Sequence, residues 1–282
     1  MIDDPLRRRS LGAPAARSAL LTILGEYVLP RRDGVWQETL VAALRALGYN
    51  QQAARQALTR SVRDRWLINE RHGRRARMHL TGATAELLNA GARRIYNFGD
   101  EREWDGMWLV VVLRVPESRR DVRHQLRTKL AWAGLGSLGG GVWITPHTDR
   151  EAEVVDAVRG ETAAEVLSLH SRIGALGDAR SMAEEAWNLE SVASAYEAFI
   201  VEFSPLPTHD PESCFAAQTA LVHSWRRFPF LDPDLPRLLL PARWPRRRAH
   251  ELFRDRHARW EQTARACFEA WEAGVGGSRG SG

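Results

Sequence analysis

Residues 50–80 read NQQAARQALTRSVRDRWLINERHGRRARMHL, and two periodicities inside this stretch decide the fold. Asn50 is a good helix N-cap, and Ala54, Ala57, Leu58, Ser61 and Val62 then recur at the spacing of one helical face, a small stripe suited to a core. The opposite face carries Gln52, Arg55, Gln56, Thr59, Arg60 and Arg63. Residues 66–70 and 77–80 read as two short strands, joined by Arg71-His72-Gly73-Arg74-Arg75-Ala76 with its glycine near the tip. Arginine and glutamine on an exposed helix face offer paired donors and acceptors to base edges in a major groove. The arginines of the hairpin suit phosphate or the adjoining groove.

Outward from this stretch, the pattern extends in both directions. Residues 1–14, with Arg7-Arg8-Arg9 followed by Gly12 and Pro14, have no apolar periodicity and read as a disordered arm. Leu20, Ile23, Leu24, Tyr27 and Val28 predict a first helix over about 17–29 that stops before Pro30. A second helix follows from about Trp36, with Leu40, Val41, Leu44 and Leu47 on one stripe, and closes at Gly48. Thr81 caps a fourth helix that runs through Leu87-Leu88 and ends at Gly91. Three helices, a basic hairpin and a helix are the succession of a winged helix-turn-helix domain, which we place at 15–98.

The charge distribution agrees. The first 100 residues carry 17 Arg against nine acidic side chains, a balance of +8, and the remaining 182 residues carry −3. Seven arginines fall in the eighteen positions from Arg60 to Arg77, interleaved with Trp66, Leu67, Ile68 and Met78, which marks a structured basic face. Double-stranded DNA is the expected partner. With only two cysteines, no leader pattern and no apolar run near the ~20 residues of a membrane span, secreted, disulfide-framed and membrane readings fall away. A cytoplasmic, nucleoid-associated protein is expected.

Residues 108–115, WLVVVLRV, read as a central strand stopped by Pro116. A helix over 118–132, with Val122, Leu126 and Leu130 inward, a glycine-rich turn, a strand at 142–145, a helix over 149–159 and a strand near 165–169 predict a ferredoxin-like dimerisation domain at 99–180. Gly134, Gly136 and Gly139 satisfy G-x-G-x-x-G, but they follow a helix and lead into a strand, the reverse of a dinucleotide site, so they predict a tight turn. Residues 181–273 are helical in pattern and form an expected C-terminal helical domain, with a flexible tail at 274–282. The fold class is therefore α+β. Nine of eleven tryptophans lie beyond residue 100, and Trp187, Tyr196, Trp225, Arg226 and Trp244 are candidates for an aromatic ligand with an anionic group. No spacing for a catalytic group, a metal or a cofactor is present: the cysteines lack CxxC, and His250-Glu251 lacks the second histidine of HExxH.

Five segments carry a resemblance over nearly the whole chain: ARSALLTILGEY (16–27), RIYNF (94–98), WDGMWLVVVLRVPESRRDVRHQLRTKLAWAGLGSLGGGVWITP (104–146), WNLESVASAYEAFI (187–200) and LPRLLLPARWP (235–245). The chain resembles the PaaX family of repressors of aromatic-acid (phenylacetate) catabolism. The resemblance implies a homodimer on a palindromic operator, released by an aryl-acyl-CoA such as phenylacetyl-CoA. Two departures stand out. Arg114 occupies the end of the first middle-domain strand, where the family tends to have an acid, and Trp244-Pro245-Arg246 stands where the family's motif is WPG. The middle domain also resembles CRISPR-associated ferredoxin-like nuclease subunits, whose metal site needs a carboxylate near that strand end, so Arg114 speaks against a nuclease. A constitutive nucleic-acid-binding adaptor without inducer is the other alternative.

Overall fold

The computed structural model describes residues 15–31, 33–98, 103–205, 208 and 210–277; the expected arm at 1–14 lies outside them. The class is α+β, with two small sheets and a helical C-terminal region. Two compact units divide the chain, the first made of 1–98, 199–227 and 248–282, the second of 99–198 and 228–247.

In the first unit, α1 (Ala16–Ile23) continues as one π-helical stretch, Leu24–Val28. Then come β1 (Val35–Trp36), α2 (Gln37–Ala46), α3 (Gln51–Arg63), β2 (Leu67–His72), β3 (Arg75–Leu80) and α4 (Gly82–Tyr96). Asn50 caps α3 by accepting from the Ala53 amide at 2.8 Å, and Thr81 caps α4 through the Thr84 amide at 3.2 Å. β1 was not legible as a strand: two residues are too few for an alternation, yet Val35 and Trp36 pair with Met78 and Arg77 and make the hairpin a three-stranded sheet. α4 does not end at Gly91. It runs five residues further, where Arg93 and Arg94 suit the negative end of a helix and Tyr96 donates to Glu26 at 2.7 Å.

The compact units cut across the expected bounds: 199–227 and 248–273 lie in the first unit, 181–198 and 228–247 in the second. Helices α9 (Pro211–Trp225) and α11 (Arg246–Gly277) place Phe215, Ala264, Cys267 and Phe268 in one buried cluster with Leu20, Ile23, Leu24, Leu40, Leu44 and Leu58. Tyr27, Phe215 and Phe268 form a three-ring cluster, with Tyr27 at centroid separations of 4.9 and 5.2 Å from the two phenylalanines, which lie 6.3 Å from each other. α9 and α11 thereby add buried apolar area to a core whose first three α-helices have 8, 10 and 13 residues. The expected tail is shorter as well, since α11 continues to Gly277; residues 278–282 lie outside the described ones.

The second unit is built on β4 (Trp108–Arg114), α5 (Arg120–Trp132), β5 (Gly136–Gly139), β6 (Val142–Thr145), α6 (Glu151–Val158) and β7 (Glu165–Ser171), followed by α7 (Ala179–Ala186), the greater part of α8 (Leu189–Phe203) and the short α10 (Phe228–Leu231). The sheet order is β5-β6-β4-β7 with every neighbouring pair antiparallel. One face of β4, through Leu109, Val111 and Leu113, packs with Val122, Leu126 and Leu130 of α5; Trp108 enters a second cluster with Ile144, Ala183 and Leu239. The glycine-rich segment is more than a turn. Gly136–Gly139 is the strand β5, missed because glycines carry no alternation, and Gly141 at φ 85° closes the hairpin where a Cβ would run into the Leu113 carbonyl.

Arg246, the departure from WPG, pins this unit. Its guanidinium meets the fully buried carboxylate of Asp232 at 3.0 Å, meets Asp234 at 2.6 Å and donates to the Leu235 carbonyl at 3.0 Å; Tyr196 donates to Asp232 at 2.7 Å. Burial pushes the Asp232 carboxyl up and Arg246 opposes it. Removing the guanidinium leaves a buried carboxylate without its cation, so Arg246→Ala should lower the unfolding free energy by about 3–5 kcal/mol in urea titration.

A pH dependence comes from the first unit. His223, held by Thr22 at 2.9 Å, is pushed down from 6.5 to about 3 by burial and then by Arg226 and Arg227. The folded state keeps it neutral while the unfolded chain takes up a proton near 6.5, so its contribution is complete above that pH and is lost progressively as pH falls toward 3. Chemical denaturation from pH 7 to 4 should show a flatter decline for His223→Gln than for the unaltered chain.

Candidate nucleic-acid interface

The buried stripe of α3, Ala54, Ala57, Leu58 and Ser61, fixes the rotation of the helix, and that rotation turns Gln52, Arg55, Gln56, Thr59 and Arg60 outward. With Gln51 these side chains form one exposed polar face of the helix. Its donors are unequally available. Thr59 spends its hydroxyl proton on the Arg55 carbonyl at 3.0 Å, whereas the side chains of Gln52, Arg55, Gln56 and Arg60 are exposed. Arg63 turns to Asp64 at 3.0 Å, and this contact, with Arg17 on the other side of the carboxylate at 2.7 Å, holds Asp64 below the usual carboxylate range. Arg17 also lies over the Trp66 ring at 3.9 Å, so the end of α3 is tied to α1 by charge and stacking together.

The hairpin brings the remaining candidates to one tip. His72 pairs with Arg75, leaving Gly73 and Arg74 as a two-residue turn in which Gly73 takes φ 63°. Arg71 and Arg74 are exposed. Arg75 is half-buried and donates to the Val275 carbonyl in α11, so it braces the hairpin instead of projecting from it.

Sequence reasoning missed the clamp beneath this tip. Glu272, buried near the end of α11, accepts from the Trp36 amide at 3.0 Å and from the Thr39 hydroxyl at 2.7 Å, and faces Arg77 at 3.6 Å. Arg77 in turn lies over the Trp36 ring at 4.9 Å and donates to the Asp33 carbonyl at 2.6 Å. A carboxylate at the start of α2 satisfies one amide donor that the helix leaves open, and it does so while facing Arg77 of β3. No local pattern announces a contact across 236 positions.

The five candidates for a ligand are not brought to one place. Trp225 is fully buried, stacked on Phe253 at 4.7 Å, and Arg226 donates to the carbonyl and hydroxyl of Ser18, both at 2.9 Å; each is a core element of the first unit. Tyr196, in the second unit, is buried against Phe228 at 4.1 Å with its hydroxyl on Asp232. Only Trp187 and Trp244 share a cleft, of about 600 Å³, with Glu184, Glu185, Glu190 and Arg243 around it. Among the described residues no three His, Cys, Asp or Glu side chains gather as a metal site, and Arg114 at the end of β4 faces Glu165 at 3.9 Å.

Comparison with known proteins covers almost the entire chain. Residues 15–84 match the model of the PaaX-like protein, 101–183 that of the PaaX protein central Cas2-like domain and 187–270 that of the PaaX-like protein C-terminal domain. The transcriptional repressor PaaX of Escherichia coli (strain K12) is 30% identical over 264 residues, covering 89% of this chain and 82% of that protein. The structure of the uncharacterized protein Rv0674 from Mycobacterium tuberculosis shares the fold, with a TM-score of 0.64 at 22% identity, over 90% of this chain and 98% of that one.

Glu272→Ala leaves a buried amide and a hydroxyl without their acceptor and removes the carboxylate that faces Arg77. It should cost about 1–3 kcal/mol in denaturant unfolding, and hydrogen exchange should rise in β1 and β3 before it rises in α3.

Proposed function

The chain belongs to the PaaX family, and from that membership we propose that it is a transcriptional repressor of aromatic-acid (phenylacetate) catabolism that binds a palindromic operator as a homodimer and leaves it on binding an aryl-acyl-CoA. The observation that carries the proposal is the juxtaposition on one unit of the exposed α3 face and the arginine-bearing hairpin, in a chain 30% identical to a transcriptional repressor. In this reading residues 15–98 are a winged helix-turn-helix, with α3 in the major groove and β2–β3 as the wing. The second unit's central part is a ferredoxin-like module, a reading supported by its β-α-β-β-α-β succession and antiparallel order.

Roles follow from availability. Gln52, Arg55, Gln56 and Arg60 face bases, Thr59 contributes shape and a hydroxyl acceptor, and Arg63, Arg71 and Arg74 contact phosphate. Arg75 reaches DNA only if it releases Val275. The aryl-acyl-CoA inference draws its support from family membership and is the part most separable from the rest. For such a ligand to act it must favour a geometry in which two recognition helices no longer match half-sites about one turn, ~34 Å, apart. Its site of work is the nucleoid in the cytoplasm; among the described residues no helix is long and apolar enough to cross a membrane.

Fluorescence anisotropy on DNA upstream of its own gene, against scrambled DNA, tests the reading: binding should be at least ~10³-fold tighter on the former. Phenylacetyl-CoA titrated into the complex should return the free-DNA signal; tight binding with no release would remove the effector and leave the repressor. Arg55→Ala or Arg60→Ala should cost about 1–3 kcal/mol and relax sequence preference, whereas Arg74→Ala should weaken all sequences alike and lower the salt slope by about one.

A further inference from the structure

Among the described residues, two that are not glycine hold a positive φ: Asp234 at 59° and Arg65 at 57°. That region crowds Cβ against the backbone, and glycine, asparagine and aspartate are its usual occupants. Asp234 is explained by what it touches. Its carboxylate meets Arg246 at 2.6 Å and its carbonyl accepts from His147 at 2.9 Å. Arg65 has no such account. It follows α3 at the position where a helix ends in the left-handed region and glycine is the common residue. The amides of Asp64, Arg65 and Trp66 turn back to the carbonyls of Arg60, Val62 and Ser61 at 2.9, 3.0 and 2.8 Å, and the Arg65 carbonyl accepts from the Thr81 hydroxyl at 2.9 Å. All of these are backbone contacts of residue 65 and its neighbours, so a glycine would keep every one. The side chain adds none to the fold: it is exposed, and among the described residues it meets no acid, since Asp64 beside it is taken by Arg63 at 3.0 Å and by Arg17 at 2.7 Å. Nor does the helix dipole need it, because Arg60 and Arg63 already stand in the last turn of α3.

We propose that Arg65 is a contact to the DNA backbone, kept at a strained position because its guanidinium meets a phosphate at the rim of the major groove. The proposal rests on the reading of α3 as the recognition helix. A helix of 13 residues is about 20 Å long, and the groove is about 12 Å wide. With the amino-terminal part of α3 on base edges, its carboxyl end lies out over the backbone. There Arg65 stands on a rigid mount. Thr81, whose hydroxyl holds the Arg65 carbonyl, caps α4 through the Thr84 amide and donates its own amide to the Trp66 carbonyl at 3.1 Å, so α3, β2 and α4 meet at this turn. Successive amides in such a turn can cradle an anion, but here the helix carbonyls occupy all three. What the turn has left to offer a phosphate is the arginine side chain, whose planar fork suits that partner.

The test sets stability against binding, on the full chain. Arg65→Gly should raise the thermal unfolding midpoint by about 2–4 °C as the left-handed strain is relieved. The same variant should bind DNA upstream of its own gene and scrambled DNA more weakly alike, with the salt slope lowered by about one. Arg65→Asn, which tolerates a positive φ and carries no charge, should bind as the glycine variant does, whereas Arg65→Lys, which keeps the charge, should retain the native slope. Arg74→Ala in the same anisotropy titration calibrates the loss of one phosphate contact. An Arg65→Gly variant with native affinity and native slope overturns the proposal and leaves the repressor reading intact. One that melts no higher than the unaltered chain overturns it as well, since the arginine is then a structural part of the helix end. Failure of the unaltered chain to bind DNA at all overturns the repressor reading, and this contact with it.

Discussion

The cluster of Tyr27 with Phe215 and Phe268 is the contact on which the arrangement of the first unit depends. α9 and α11 pack into the same buried cluster as the three short amino-terminal helices. The consequence reaches the candidate DNA-binding face. α3 is held in rotation by Leu58 and Ala57 in the same cluster, and the hairpin is braced by Glu272 and Val275 from the end of α11. The unit that would read DNA is therefore assembled from both ends of the sequence, and the carboxyl-terminal helices are structural parts of it.

What was legible in the sequence was what depends on neighbours. The α3 stripe, its Asn50 cap, the positive-φ glycine at 48, the glycine at the hairpin tip and the strand at 108–114, whose Val110 and Val112 are half-buried, are local, each fixed by side chains within a few residues. What was not legible depends on partners far along the chain. β1 exists only because β3 is there to pair with it, β5 is written in glycines that leave the ladder intact and the alternation blank, and Glu272 looks like any other acid on a helix surface until Trp36 and Thr39 meet it.

The candidate sites divide in the same way. The α3 face could be named residue by residue, because exposure on a helix follows from burial on its other side. The aromatic candidates could not, because a tryptophan or tyrosine in an α+β chain serves a core as readily as a cleft. Trp225 and Tyr196 are consumed by stacking, Arg226 by Ser18, and only Trp187 and Trp244 border open space. Arg246 shows how a single residue acquires meaning from its surroundings: this arginine closes a network of two aspartates and a tyrosine.

The seating of Phe268 beside Tyr27 also orders events during synthesis. The ribosome delivers the first 98 residues long before their covering helix exists; some 170 further residues separate Phe98 from Phe268, roughly 10–35 s of elongation at ~5–20 residues per second. Through that interval the apolar face of α1 waits for its lid, a period in which chaperones have a reason to bind. A chain released early carries every arginine of the α3 face and the hairpin, yet lacks the helix that holds Arg75 and Arg77 of the hairpin.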